Sequence, residues 1–195
     1  MSGSFKVGIT GTHCSGKSTL VDALVAHEFF EGYPFIKEVA ARFPREHRQH
    51  LATQFHIMSA QIAEETRQAH FVSDRTVLDN IAYTTLNFEE SVANKPNLDL
   101  VVTRAKEFFT CLDLERTYIA TRPYDLIVFV DEFFPIENDG NRCLNERYQQ
   151  WIFDFLKGES GVAGALYHIP VLDVSGPTEK RVDLIVKRLK GMSGN

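Results

Sequence analysis

A chain of 195 residues, 44% hydrophobic and 24% charged, can bury one substantial core, and a single domain over 1–195 is expected. The 21 Lys and Arg against 26 Asp and Glu leave a net charge of -5, which argues against non-specific attraction to a polyanion as the main business of the surface. Cys14, Cys111 and Cys143 lack CxxC or Cys/His ligand spacing and suggest neither a disulfide framework nor a zinc site. With no basic leader and no apolar run near the roughly 20 residues that span a bilayer, the expectation is a soluble, cytoplasmic protein.

In chain order, Phe5–Thr10 reads as a short buried strand, followed by a Gly-containing loop. Lys17–Glu28 is then a helix with Leu20, Leu24 and His27 on one face. Tyr33–Lys37 is a second strand. Leu51, Phe55, Met58 and Ile62 fall at helical intervals in a long helix from about Glu46 to His70. Phe71–Ser73 is a third strand ending at Asp74, and 76–87 and 98–119 are helices on either side of the Asn94-Lys95-Pro96-Asn97 break. Leu126–Val130 is continuously apolar, as a parallel strand covered on both faces requires. A polar loop over 135–145 precedes a helix at Glu146–Lys157. Gly158–Gly164 reads as a loop, Ile169–Val174 as the last strand, and a helix closes the chain. Strands alternating with helices imply an α/β domain with a mainly parallel, five-stranded sheet in a three-layer sandwich, its ligand crevice at the carboxyl ends of the strands.

Gly11-Thr12-His13-Cys14-Ser15-Gly16-Lys17-Ser18 matches G-x-x-x-x-G-K-[ST], and Thr19 extends it. The motif leaves a strand and opens a helix, so its backbone N–H groups and the helix N-terminus converge on phosphate oxygens. The expected ligand is a purine nucleoside triphosphate, ATP with Mg²⁺. Lys17 would bridge the β- and γ-phosphates, the Ser18 hydroxyl would coordinate Mg²⁺, and Thr19 would meet the α-phosphate. The sequence offers no base paired with Cys14, which is assigned no chemistry; His13 faces either the γ-phosphate or solvent.

A guanine-reading Asn-Lys-x-Asp is absent. Asn94-Lys95-Pro96-Asn97 lacks the aspartate that accepts both guanine N–H groups, and an amide cannot replace it. The remaining layout comprises Glu38-Val39-Ala40-Ala41-Arg42 after strand two, Asp74-Arg75-Thr76 after strand three and Asp139-Gly140-Asn141-Arg142 after strand four. With the Gly11–Thr19 loop it resembles the P-loop NTPase fold of nucleoside and nucleotide kinases, particularly the ribosylnicotinamide-kinase domain of bifunctional NAD-biosynthesis proteins and thymidylate-kinase-like enzymes.

The resemblance implies roles residue by residue. Asp74 is the leading Walker-B-like carboxylate, holding Mg²⁺ or accepting a proton, and Arg75 binds substrate or the transferred phosphate. Asp131, followed by Glu132, competes for the metal. Glu38 grips a substrate hydroxyl or acts as base; Arg42, one turn on if 38–43 is helical, binds an anionic group or forms a surface ion pair. The segment of about 134–147 resembles a lid that delivers Arg142 and Arg147 to the transferring phosphoryl. Ser175-Gly176, between the last strand and helix, would lie beside the adenine.

The function expected is an ATP-dependent phosphotransferase for a nucleoside- or nucleotide-like small molecule. A kinase of a hydroxymethylated base in DNA is an alternative, motivated by Arg42, Arg45, His47, Arg48 and His50, although no aromatic interleaving supports nucleic-acid stacking. A non-catalytic ATP-gated regulator is another. Neither the acceptor nor the oligomeric state is legible in the sequence.

Overall fold

A computed structural model of the chain describes residues 4–48, 50–93, 97–135 and 146–193. Its elements run β1 (Lys6–Thr10), α1 (Lys17–Ala26), β2 (Phe35–Ile36), α2 (Leu51–Thr66), β3 (Phe71–Asp74), α3 (Val77–Val92), α4 (Leu98–Ala120), β4 (Leu126–Val130), α5 (Glu146–Tyr167), β5 (Val171–Val174) and α6 (Thr178–Ser193). The five strands form one sheet in the order β2-β3-β1-β4-β5, and every pairing is parallel.

Side-chain alternation along the strands sorts the core into two layers. Val7, Ile9, Val72, Leu126, Val128 and Val130 point to one face, where Leu20, Val21 and Leu24 of α1 and Val182, Ile185, Val186 and Leu189 of α6 cover them. Phe71, Ile127 and Phe129 point to the other, under Val77, Leu78 and Ala82 of α3, Ile119 of α4, and Ile152 and Leu156 of α5. All five residues of β4 are therefore buried, as its unbroken apolar sequence predicts. The chain runs from β3 on one side of β1 to β4 on the other, so the strand order reverses around the carboxyl end of β1, the place where an open parallel sheet forms a ligand crevice.

Several boundaries differ from the sequence expectation. Gly158–Gly164 is not a loop but part of α5, which continues to Tyr167. Glycine disfavours helix, but Ala163 is buried and Gly164 lies close to β5, where an added Cβ would stand 3.5 Å from both Ile169 O and Val171 Cγ2. Tertiary packing overrides local propensity here. The long second helix begins at Leu51 because 3₁₀ turns at Val39–Arg42 and Arg45–His47 occupy the preceding segment, and the Arg48 carbonyl accepts from the side-chain amides of Gln54 and Asn87. Helix α1 stops at Ala26, where a short 3₁₀ turn buries Phe29 and Phe30. Strand β2 has only two residues and pairs with β3 alone, at the sheet edge.

Helix α4 carries Glu115, which is 2% exposed and whose Oε2 has no hydrogen-bond partner among the described residues. Burial, and then nearby Glu159, push its carboxyl from 4.5 to about 7. For an acid whose folded-state pKa is raised, the charged form is disfavoured in the fold, so stability falls as pH rises from about 4.5 to about 7. The loss is at most about 3 kcal/mol for this group. Glu115→Gln is expected to raise the thermal midpoint at pH 8 and to leave it nearly unchanged at pH 4.5. Thermal unfolding at the two pH values tests this; an equal shift at both would refute it.

Candidate active site

The phosphate loop leaves β1 at Gly11, whose φ is 148°. A Cβ at this position would stand 3.2 Å from Val130 Cβ, so the residue's lack of a side chain lets the loop cross the end of β4. Gly16, with φ 78°, is the left-handed N-cap of α1, and Cys14 is also left-handed, with φ 57°. Left-handed residues alternating with ordinary ones turn successive N–H groups toward a common centre, the geometry of an anion nest. Thr12 and Ser15 are buried, His13, Cys14 and Gly16 are half-buried, and Ser18 and Thr19 are exposed.

Lys17 folds back over this nest. Its Nζ donates to Thr12 O at 2.5 Å and to Ser15 Oγ at 3.3 Å, and the residue is only 6% exposed. Burial, and then the positive charge of Arg75, lower its pKa to about 8 against the opposing pull of Asp79, Asp74 and Glu38. With the ammonium as the phosphate contact that the motif implies, ATP affinity is expected to fall above pH 8, approaching tenfold per pH unit as each binding event takes up a proton. Isothermal titration between pH 7 and 9.5 in two buffers of different ionisation enthalpy checks this. Flat affinity with no proton uptake would exclude Lys17 as the titrating contact.

Adjacent to Lys17, Ser18 Oγ donates to Asp74 Oδ2 at 3.1 Å. Asp74 is 7% exposed, and burial raises its carboxyl despite the opposing charges of Arg75 and Lys17. A hydroxyl and a carboxylate converging from α1 and β3 supply the hard oxygen donors that Mg²⁺ prefers, and one protein carboxylate with one hydroxyl matches its habit of keeping waters and phosphate oxygens for the remaining positions.

Arg75 follows in a left-handed conformation, φ 99°, with its N–H donating to Ile9 O at 3.0 Å. That conformation is costly for a side chain with a Cβ. Its Nε donates to Glu38 Oε1 at 2.8 Å and its Nη1 to Asp79 Oδ1 at 2.9 Å, while the guanidinium lies 5.5 Å from the centre of the Tyr83 ring. Asp79 also accepts from Thr76 N in a capping box that starts α3. The charge of Arg75 holds the Glu38 carboxyl below the usual glutamate range. Glu38 is therefore ionised at neutral pH, a hydrogen-bond acceptor at the mouth of β2.

On the β4 side, Arg181 of α6 is 4% exposed. It donates to Ser15 O at 3.1 Å and Gly176 O at 2.6 Å and pairs with Glu132. Glu132 also accepts from Gly176 N, so one buried guanidinium links the phosphate loop, the end of β4 and the turn before α6. Gln149 of α5 makes a second such link. Its side-chain amide donates to His13 O at 2.9 Å and Phe134 O at 3.0 Å, and its backbone carbonyl accepts from Thr12 Oγ1. Phe134 N donates to Cys14 O at 2.8 Å. Both shoulders of the expected lid are thus tied to the phosphate loop.

Lys17, Ser18, Asp74, Arg75 and Glu38 come together at the ends of β1, β2 and β3. Ser175 and Gly176 stand across the loop, on the β4–β5 side. Asp131 is drawn instead to Lys157 Nζ at 2.8 Å, in a partly exposed ion pair. Arg42 is exposed and pairs with Glu64 of α2, so it shares no contact with Glu38. Arg147 is exposed in the first turn of α5. Arg142, the rest of the lid at 136–145, and Asn94-Lys95-Pro96 lie outside the described residues. Sequence reasoning misses Asp79, Gln149 and Arg181. The T-x-x-D spacing of Thr76 and Asp79 could have revealed the first, whereas the other two act on a loop far away in sequence and carry no local signal.

Residues 6–181 match the family model described as an AAA domain. No curated protein matches the sequence. Among solved structures, a deoxyadenosine kinase from M. mycoides with the products dCMP and dCDP is similar at 15% identity and a TM-score of 0.66, over 96% of this chain and 99% of that one. The same kinase with dCTP gives 17% identity and 0.62, over 95% and 99%. The NadR protein in complex with NR gives 17% identity and 0.69, over 94% of this chain and 51% of that one. At these identities the likeness is one of fold.

Proposed function

We propose that this chain, which belongs to the AAA domain family and has the fold of P-loop nucleoside kinases, transfers the γ-phosphoryl of ATP to a hydroxyl of a nucleoside-like small molecule. One observation carries the reading: the phosphate loop's Ser18 is bonded to Asp74, and the neighbouring Arg75 is bonded to an ionised carboxylate, Glu38.

In this mechanism the backbone nest from Gly11 to Gly16, with Lys17, holds the β- and γ-phosphates, and Thr19 meets the α-phosphate. Ser18 and Asp74 would hold Mg²⁺, which when bound would supply positive charge to the phosphate oxygens. Glu38 accepts a hydrogen bond from the attacking hydroxyl and fixes its line of approach. Its lowered pKa suits orientation more than early proton removal, which a loose phosphoryl-transfer transition state does not require. Arg142 and Arg147 of the lid would contact the transferring group, and the turn at Ser175-Gly176 would border the adenine. Cytoplasmic action by a single domain completes the reading.

The acceptor is a nucleoside without a phosphate rather than a nucleotide. Arg75 already satisfies Glu38 and Asp79, so an incoming monophosphate would meet two carboxylates whose guanidinium partner is already engaged. The deoxyadenosine kinase and the NR-bound NadR protein support this class of acceptor. A DNA acceptor gains little, because Arg42 is paired with Glu64 and Arg48 Nε donates to Phe43 O. Incubating the protein with labelled ATP, Mg²⁺ and a panel of nucleosides, ribosylnicotinamide and nucleoside monophosphates is expected to label a nucleoside. Tight ATP binding without transfer to any acceptor would sink the proposal and favour an ATP-gated regulator.

A further inference from the structure

Behind Arg75 lies a buried polar network that the phosphoryl-transfer chemistry does not use. Gln61 and Glu65 of α2 are 2% and 0% exposed, and Ser73 of β3 is 0% exposed. Gln61 Nε2 donates to Glu65 Oε1 at 2.6 Å, Ser73 Oγ at 2.8 Å and Arg75 O at 3.3 Å. Ser73 Oγ itself donates to Arg75 O at 2.8 Å. Glu65 is held in turn by Tyr118 Oη at 2.8 Å and Tyr124 Oη at 3.0 Å, and Tyr124 Oη accepts from Val77 N.

The network has a direction. At the left-handed Arg75 the carbonyl meets Gln61 and Ser73, while the guanidinium turns to Glu38 and Asp79. A buried carbonyl must find donors, and here Gln61 and Ser73 provide them only while Arg75 stays left-handed. Glu65 accepts from the Gln61 amide and so fixes which end of that amide faces the carbonyl. Hydrophobic residues of the same volume would fill this space without the cost of burying a carboxylate; what they could not do is hold a strained backbone in one orientation.

We propose that Gln61, Glu65 and Ser73 are positioning residues that lock the Arg75 backbone and thereby set the Arg75–Glu38 pair at the acceptor end of the site. The inference rests on the functional reading above for its kinetic consequence, but not for its structural one. Ser73→Ala and Gln61→Met remove the donors to the Arg75 carbonyl without adding bulk. In each, the acceptor KM is expected to rise and kcat to fall, together by about tenfold to a hundredfold in kcat/KM, while the KM for ATP stays within about twofold. The Nε–H crosspeak of Arg75 in a ¹⁵N spectrum, assigned by its loss in Arg75→Lys, is expected to shift or broaden in the same variants. A wild-type crosspeak and unchanged acceptor kinetics alongside a lowered thermal midpoint would reduce the network to a purely structural role and overturn the proposal. Should Gln61→Met fail to fold, the milder Ser73→Ala decides. If the wild type phosphorylates no acceptor, the functional reading fails and the crosspeak still decides this inference alone.

Discussion

Replacing Lys17 with alanine is expected to reduce phosphoryl transfer by roughly 10³-fold, about 4 kcal/mol of transition-state stabilisation, while leaving the fold intact. The ammonium folds back over the loop, donating to Thr12 O and Ser15 Oγ, and phosphate oxygens would replace those acceptors with stronger, charged ones. In the proposed mechanism its removal takes away the group that meets charge developing between the β- and γ-phosphates. The stability cost should be small. Burial already disfavours the charged form, so deleting it offsets the lost hydrogen bond to Thr12, and the thermal midpoint should move by no more than about 4 °C. Steady-state turnover with the labelled acceptor, beside a thermal melt, is the measurement. Activity within tenfold of wild type would remove Lys17 from the mechanism.

The second large effect is expected at Glu38. Glu38→Gln keeps the side chain's size but removes the charge that pairs with Arg75, and it should lower kcat by about 10²-fold. ATP affinity should hardly change, because the phosphate loop has its own contacts. Two causes contribute: the hydroxyl loses its anionic acceptor, and Arg75 loses one of its two carboxylates and becomes available to an anion. The second cause implies a shift in selectivity, with nucleoside monophosphates gaining relative to nucleosides. Arg42→Ala serves as the internal comparison, since its pair with Glu64 lies on the exposed surface and should matter by less than twofold in rate. Equal losses in Glu38→Gln and Arg42→Ala would mean that the variants report general disturbance and not the chemistry of one carboxylate.

Much of the fold was legible because its signals are local. Leu126–Val130 is apolar at every position and largely β-branched, as a strand covered on both faces requires. The motif from Gly11 to Ser18 announces a strand before it and a helix after it. Asp74-Arg75 could be placed at a strand end from the same reasoning. The misread segment, Gly158–Gly164, shows the limit: its glycines speak for a loop, and only the packing of α5 on the sheet makes it helical. Glu38 and Arg42 were equally plausible partners by spacing. In the fold a short 3₁₀ turn sends them apart, one to Arg75 and the other to Glu64.

The same division holds for the site. By itself the sequence determined the Gly11–Ser18 loop and its place between a strand and a helix, since a loop of N–H groups there is made by neighbours in the chain. Which groups face that loop was decided by tertiary structure. Glu38, Asp74 and Arg75 meet Lys17 and Ser18 because β2, β3 and β1 lie side by side in parallel, and Arg181 reaches the Ser15 carbonyl because α6 packs against α1. Hydrogen bonds form only at about 3 Å, and only the folded chain brings residues 166 positions apart to that distance.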